Sequence, residues 1–113
     1  MQLDHTRHGD TLIVHVAEDR IDASTAIQFK DGMQAAAVAA EDRIVLDLSR
    51  VSFLDSSGLG AVVAVMKFCA PEIKVELAGL TPIVAKVFRL TRMDKVFRIY
   101  ETADDALGVA QGT

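Results

Sequence analysis

Two adjacent serines, Ser56 and Ser57, stand between a run of strand-forming residues and a helical pattern. They follow Asp55 and precede Gly58 in the string DSSGLG. A hydroxyl at the start of a helix lies beside backbone N–H groups that have no partner within the helix, and such groups bind anions such as phosphate. The string therefore indicates either a hydroxyl that carries a phosphoryl group or a plain helix cap, because Asp and Ser are both preferred N-cap residues.

Catalysis by the chain's own residues is not indicated. Ser56 lacks the G-x-S-x-G turn of the hydrolases, and the sequence has no G-x-x-x-x-G-K-[ST] loop for the phosphates of ATP. Asp22 and Asp55 are carboxylates of the kind that bind metal ions, but no third ligand is evident. We therefore expect that the chain has no enzyme activity and binds no metal or cofactor. If a phosphoryl group is transferred to the chain, we expect a partner protein to bind the nucleotide.

The segments around the serines predict a strand followed by a helix. Ile44–Leu48 is a short apolar run, typical of a strand that is covered on both faces. After the serines, apolar residues recur at helical spacing, which predicts a helix over 57–69. Its inner stripe is predicted to be Leu59, Val62, Val63, Met66 and Ala70. The opposite side is apolar too, which is typical of a helix that is deeply buried or contacts a partner.

The rest of the chain continues the alternation of strands and helices. Further strands are predicted at 3–8, 11–17, 73–77 and 96–100, the first two joined by a tight Gly9-Asp10 turn. A helix is predicted at 23–40, with Asp22 as its N-cap. Another begins at Pro82 and has an inner face of Ile83, Val84, Val87 and Phe88. A last helix follows Thr102. This order favours an α/β fold with a mixed, mostly parallel sheet of about five strands, an N-terminal antiparallel hairpin and about four helices.

Length and composition narrow the class of protein. The chain has 113 residues, half of them hydrophobic, so a single domain over 1–113 is expected, with its core at about 3–107. A net charge of −4 without a basic stripe argues against nucleic acid as a partner. The longest apolar run, 61–66, is too short to span a bilayer, and the N-terminus has no signal-peptide core. A cytoplasmic protein without membrane insertion is therefore expected.

The string DSSGLG at Asp55–Gly60, preceded by IVLDLSRVSFL, resembles the signature of STAS domains of the bacterial anti-sigma factor antagonists. Ile21-Asp22 is similar to the Leu-Asp at the start of that family's first helix. The segment TPIVAKVFRLTRMDKVFRIYET is similar to the family's C-terminal helix, turn and last strand. The resemblance covers about residues 3–107 and implies a STAS-like single domain.

The resemblance also implies a function in partner switching. In this family an anti-sigma factor that is a serine kinase phosphorylates the hydroxyl directly after the Asp, which here is Ser56. The unphosphorylated antagonist binds the kinase and releases a sigma factor or another output partner. Phosphorylation ends that binding, and a PP2C-type serine phosphatase restores it. The implied partner-binding surface comprises Asp22, Asp55, Ser57, Gly58, Leu59 and Gly60.

Other interpretations stay open at this stage. Helix capping explains Ser56 and Asp22 without any switch. The chain is alternatively a STAS subunit that is not phosphorylated and scaffolds a transport complex, such as an ABC-type lipid transporter, or a signalling complex. A serine kinase encoded beside this chain favours partner switching, whereas adjacent transporter genes favour the scaffold.

Overall fold

A computed structural model of the protein, described here over residues 1–108, is built on a five-stranded sheet. The strands of the chain are β1 (Leu3–His8), β2 (Thr11–Val16), β3 (Arg20–Ile21), β4 (Arg43–Asp47), β5 (Phe53–Leu54), β6 (Lys74–Ala78) and β7 (Ile99–Tyr100). The main sheet has the order β1-β2-β4-β6-β7, in which β1 and β2 form an antiparallel hairpin and the other pairs are parallel. The predicted mixed sheet is therefore confirmed. Residues 109–113 of the predicted domain lie outside the described residues.

Residues 1–108 contain four α-helices, as predicted: α1 (Ala26–Ala37), α2 (Ser56–Cys69), α3 (Pro82–Leu90) and α4 (Ala103–Ala106). The first three pack on one face of the sheet and form the main core with side chains such as Val14, Leu46 and Leu77. Helix α4 covers part of the other face, where Ala106 packs with Ile13 and Val45. Because both faces are covered at β4, its central residues are apolar without alternation. None of these four helices is long and apolar enough to cross a membrane.

Helix α1 begins at Ala26, three residues later than predicted, and Asp22 is not its N-cap. The N-cap is Thr25, whose side chain makes no capping hydrogen bond. The Asp22 carbonyl oxygen instead accepts hydrogen bonds from the N–H groups of Thr25, at 3.0 Å, and Ala26, at 2.8 Å. Asp and Ser side chains favour such local turns over helix, so the segment from Asp22 to Thr25 forms a turn rather than a first helical turn.

Two predicted helix faces and one strand also need correction. The buried residues of α2 are Gly58, Ala61, Val62, Val65 and Cys69, so the inner face is rotated from the predicted stripe. Hydropathy did not distinguish the two sides of α2, since both are apolar. In α3, Val84 and Phe88 are buried, but Ile83 is 61% exposed. The last strand begins at Ile99, because residues 93–95 form a 3₁₀ turn.

The two-stranded sheet formed by β3 and β5 was not predicted, since strands of two residues show no periodicity. The pairing aligns Arg20 with Phe53 and Ile21 with Leu54. It brings β3 against the start of α2, where Gly58 is buried. A Cβ atom at Gly58 would lie 2.0 Å from the carbonyl oxygen of Ile21. The close approach that Gly58 permits is therefore to β3 of the same chain. Gly60, in contrast, is exposed, and a Cβ atom at that position would have no neighbouring atom within 4 Å.

This contrast predicts opposite effects for the same substitution at the two glycines. Gly58→Ala should lower the free energy of unfolding by about 3 kcal/mol, because backbone must move to accept the methyl group. Gly60→Ala should raise it by about 0.5–1 kcal/mol, because Ala has the higher helix propensity and the position is open. Urea unfolding followed by circular dichroism measures both. Equal stability of the two variants would contradict the packing of α2 on β3.

Candidate functional site

Asp55 holds the start of α2 and joins it to the loop that follows β3. As the N-cap residue it accepts a hydrogen bond at Oδ1 from the N–H of Gly58, at 2.8 Å. Its other carboxylate oxygen, Oδ2, accepts one from the N–H of Ala23, at 3.2 Å. Because Ala23 directly follows Asp22, the second bond brings the Asp22 turn to the N-terminus of α2. The two acidic residues singled out in the sequence thus lie at one surface.

Ser56 and Ser57 are exposed in the first turn of α2. The sequence left three candidates for the cap of this helix, and the structure assigns that role to Asp55. Ser56 therefore does not act as the N-cap, and this exposed residue directly follows Asp55. Of the other residues in the implied partner surface, Gly60 is exposed, Leu59 is half-buried and Gly58 is buried. We refer to the exposed or half-buried set Asp22, Asp55, Ser56, Ser57, Leu59 and Gly60 as the DSS surface.

The carboxylate of Asp22 is fixed by hydrogen bonds from its own neighbours. Its Oδ1 accepts from the N–H of Ser24, at 3.0 Å, and from the Ser24 hydroxyl, at 2.7 Å. Its Oδ2 accepts from Nε of Arg20, at 3.0 Å. The Ser24 hydroxyl and then the Arg20 guanidinium lower the pKa of Asp22 from 3.8 to about 2, since both stabilise the ionised form. Asp22 is therefore a permanent negative charge at neutral pH.

Arg20 and Phe53 belong to this site but were not singled out in the sequence. The Arg20 guanidinium lies over the Phe53 ring, 4.3 Å from its centroid, in the manner of a cation–π pair. A signal for their pairing does exist, because Arg20-Ile21-Asp22 and Phe53-Leu54-Asp55 are matching strings in which an apolar residue precedes an aspartate. Each string is a short strand followed by an acidic residue, which begins a turn at Asp22 and caps α2 at Asp55. Their parallel alignment places both aspartates at the same end of the small sheet.

Apolar side chains adjoin the DSS surface in the sequence. Phe53, two residues before Asp55, is 37% exposed, and Ile27, in the first turn of α1, is 68% exposed. Exposed apolar groups next to fixed charges are typical of a protein-binding surface rather than a small-molecule pocket. Within residues 1–108, no three His, Cys, Asp or Glu side chains come together as a metal site requires.

Comparison with known proteins identifies relatives over most of the chain. The family model described as STAS domain matches residues 2–106. The anti-sigma-F factor antagonist RsfB of Mycobacterium tuberculosis is 28% identical over 105 residues, which is 93% of this chain and 85% of that protein. The anti-sigma-B factor antagonist of Listeria monocytogenes is 30% identical over 94 residues, or 82% of each chain. The crystal structure of an anti-sigma factor antagonist from Mycobacterium paratuberculosis superposes with a TM-score of 0.84 and 29% identity, covering 97% of this chain and 93% of that one.

The low pKa of Asp22 leads to a test by NMR. The Asp22 carboxyl carbon should titrate at about 2, and in Arg20→Ala its pKa should rise toward 3.8 because one stabilising hydrogen bond is lost. The pKa of Asp22 is lower in the folded protein than in the unfolded chain, so the ionised carboxylate stabilises the fold. This contribution is complete above the pKa of the unfolded chain, and it is lost as the pH falls from about 4 to about 2. Titration of Asp22 near 4 in the unmodified protein would show that the turn does not hold its carboxylate.

Proposed function

Because this chain belongs to the STAS domain family, we propose that it is an anti-sigma factor antagonist that binds an anti-sigma factor serine kinase through the DSS surface. Phosphorylation of Ser56 ends this binding, and dephosphorylation by a PP2C-type serine phosphatase restores it. The names of the relatives from Mycobacterium and Listeria support the antagonist function. The chain itself is a binding module without catalysis, so the kinase supplies the ATP site.

One observation carries the proposal: the Ser56 hydroxyl is exposed at the start of α2, while Asp55 performs the capping. A serine that only capped the helix would point its hydroxyl at the backbone N–H groups two or three residues ahead. Here the Asp55 carboxylate occupies that position on the N–H of Gly58. Modification of Ser56 therefore leaves the cap, and with it the fold, in place.

Charge explains how a phosphate at Ser56 acts as a switch. The phosphate adds about −1.5 to −2 charge beside Asp55 and close to the permanently ionised Asp22. Within the molecule the positive end of the α2 macrodipole lowers the cost of this added charge. A partner that covers the same surface must remove the phosphate from water and bring its own acidic groups close to it. A loss of about 3 kcal/mol of binding free energy weakens an association more than a hundredfold.

The first test concerns the site of phosphorylation. Incubation with ATP and candidate serine kinases encoded near this chain should add one phosphate, located at Ser56 by tandem mass spectrometry. Ser57→Ala is the matched control, because the adjacent exposed hydroxyl is removed and Ser56 is kept. Phosphate on Ser57, or undiminished phosphorylation of Ser56→Ala, would contradict the assignment. Absence of phosphorylation by every candidate kinase would favour the scaffold interpretation.

The second test concerns the docking surface. Gly60→Arg should abolish or weaken kinase binding by at least about a hundredfold, because a long charged side chain would stand within the DSS surface. The fold should be preserved, since no atom lies within 4 Å of a Cβ at Gly60. Gln34→Arg, at an exposed position of α1, adds the same charge elsewhere and should bind normally. Calorimetry measures affinity, and a thermal melt checks folding. Normal binding by folded Gly60→Arg would place the interface elsewhere.

A further inference from the structure

The end of the molecule opposite Ser56 is formed by the connections that enter the parallel strands. Helix α2 starts after the C-terminal ends of β4 and β5, so Ser56 lies at that end of the sheet. The other end, here called the basal end, consists of the Gly9-Asp10 turn and the segments 38–42, 70–74 and 89–98. The first three are contiguous, because Asp42 donates its N–H to the Asp10 carbonyl, at 3.3 Å, and Lys74 donates to the Asp42 carbonyl, at 3.0 Å. The segment 89–98 adjoins them at a cavity that Lys74 and Val96 both line.

One corner of the basal end is acidic. Asp10 and Asp42 lie so close that a hydrogen bond between their carboxyl groups, together with their mutual repulsion, raises the pKa of Asp42. Two carboxylates held near each other by the backbone bond from Asp42 to Asp10 favour the approach of an outside positive charge. The nearby Glu41 is already paired with Arg7, at 2.9 Å. The acidic corner is therefore defined by Asp10 and Asp42.

The other corner is basic, and its cations form no ion pair within the described residues, although the Arg98 guanidinium lies over the Tyr100 ring, 5.2 Å from its centroid. Its exposed cations are Lys74, Arg89, Arg92, Lys95 and Arg98, with Glu72 and Asp94 as the acidic residues among them. The ion pairs found within residues 1–108 are Arg7–Glu41, His15–Asp47, Arg20–Asp22 and Arg43–Glu76. None of them uses a cation of the basic corner. A chain with a net charge of −4 thus concentrates positive charge at one corner of one end.

Exposed apolar side chains lie at the same end. Val38, at the C-terminus of α1, is 87% exposed, and Leu90, the last residue of α3, is 70% exposed. Val96, after the 3₁₀ turn, is 49% exposed. Apolar groups between charges of both signs have the composition of a protein interface, in which an apolar centre is surrounded by a polar rim.

We propose that a second copy of this chain covers the basal end, in a two-fold dimer that places the acidic corner of each copy on the basic corner of the other. A two-fold axis requires a surface that is complementary to itself, and a patch with one corner of each sign meets that requirement. An anionic membrane or a nucleic acid would satisfy the basic corner but would repel Asp10 and Asp42. In the dimer both corners are neutralised, and the Ser56 ends point away from each other.

Sedimentation equilibrium of the full chain at low ionic strength tests the proposal. We expect a dimer whose dissociation constant rises at least about tenfold when the salt is increased, because exposed ion pairs are screened. Asp10→Lys/Asp42→Lys and Arg92→Glu/Lys95→Glu should each be monomeric, since each variant carries two corners of the same sign. An equimolar mixture of the two variants should dimerise again, because every corner then meets one of opposite sign.

Circular dichroism establishes that each double variant is folded, and the single variants Asp42→Lys and Lys95→Glu replace any that is not. A monomeric unmodified protein at the highest soluble concentration would overturn the proposal. So would a dimer that both charge-reversed variants retain, or two folded variants whose mixture stays monomeric. These outcomes are independent of the Ser56 switch, which is tested by phosphorylation at the opposite end of the molecule.

Discussion

The carboxylate of Asp55 makes two hydrogen bonds to parts of the chain that are far apart in sequence, and the functional end of the molecule depends on both. One bond caps α2 at Gly58 and the other holds the N–H of Ala23. A neutral amide at this position would keep one acceptor oxygen but lose the second, so the two roles require a carboxylate. The bond to Ala23 is what places the Asp22 turn beside the exposed Ser56.

The same arrangement separates the structural role from the regulatory role. Asp55 and the packing of Gly58 against Ile21 fix the geometry of the α2 start. Ser56 contributes nothing to the cap and stands in solvent. Under the proposed function, this site accepts a covalent change in charge without a change in fold, and electrostatics at a rigid surface control partner binding.

Much of this was predictable from the sequence, because the features concerned are local. The Gly9-Asp10 hairpin turn, the apolar run of β4 and the DSSGLG string each lie within a short stretch, and the fold confirms the elements they predicted. Features that depend on distant contacts were missed. The predicted capping by Asp22 was wrong for a local reason, because Ser24 and Arg20 compete for its side chain. The inner face of α2 depends on where β3 lies, and no periodicity reveals a strand of two residues.

The pairing of Arg20 with Phe53 also sets the order in which this site is able to form. The segment between the two residues contains α1 and β4, and the pairing of β4 with β2 and the packing of α1 on α2 must bring its ends together. Closing a long loop costs entropy that is recovered only when the intervening elements are folded. The proposed partner-binding surface is thus complete only when these elements are folded. A chain that has only its local structure does not display it.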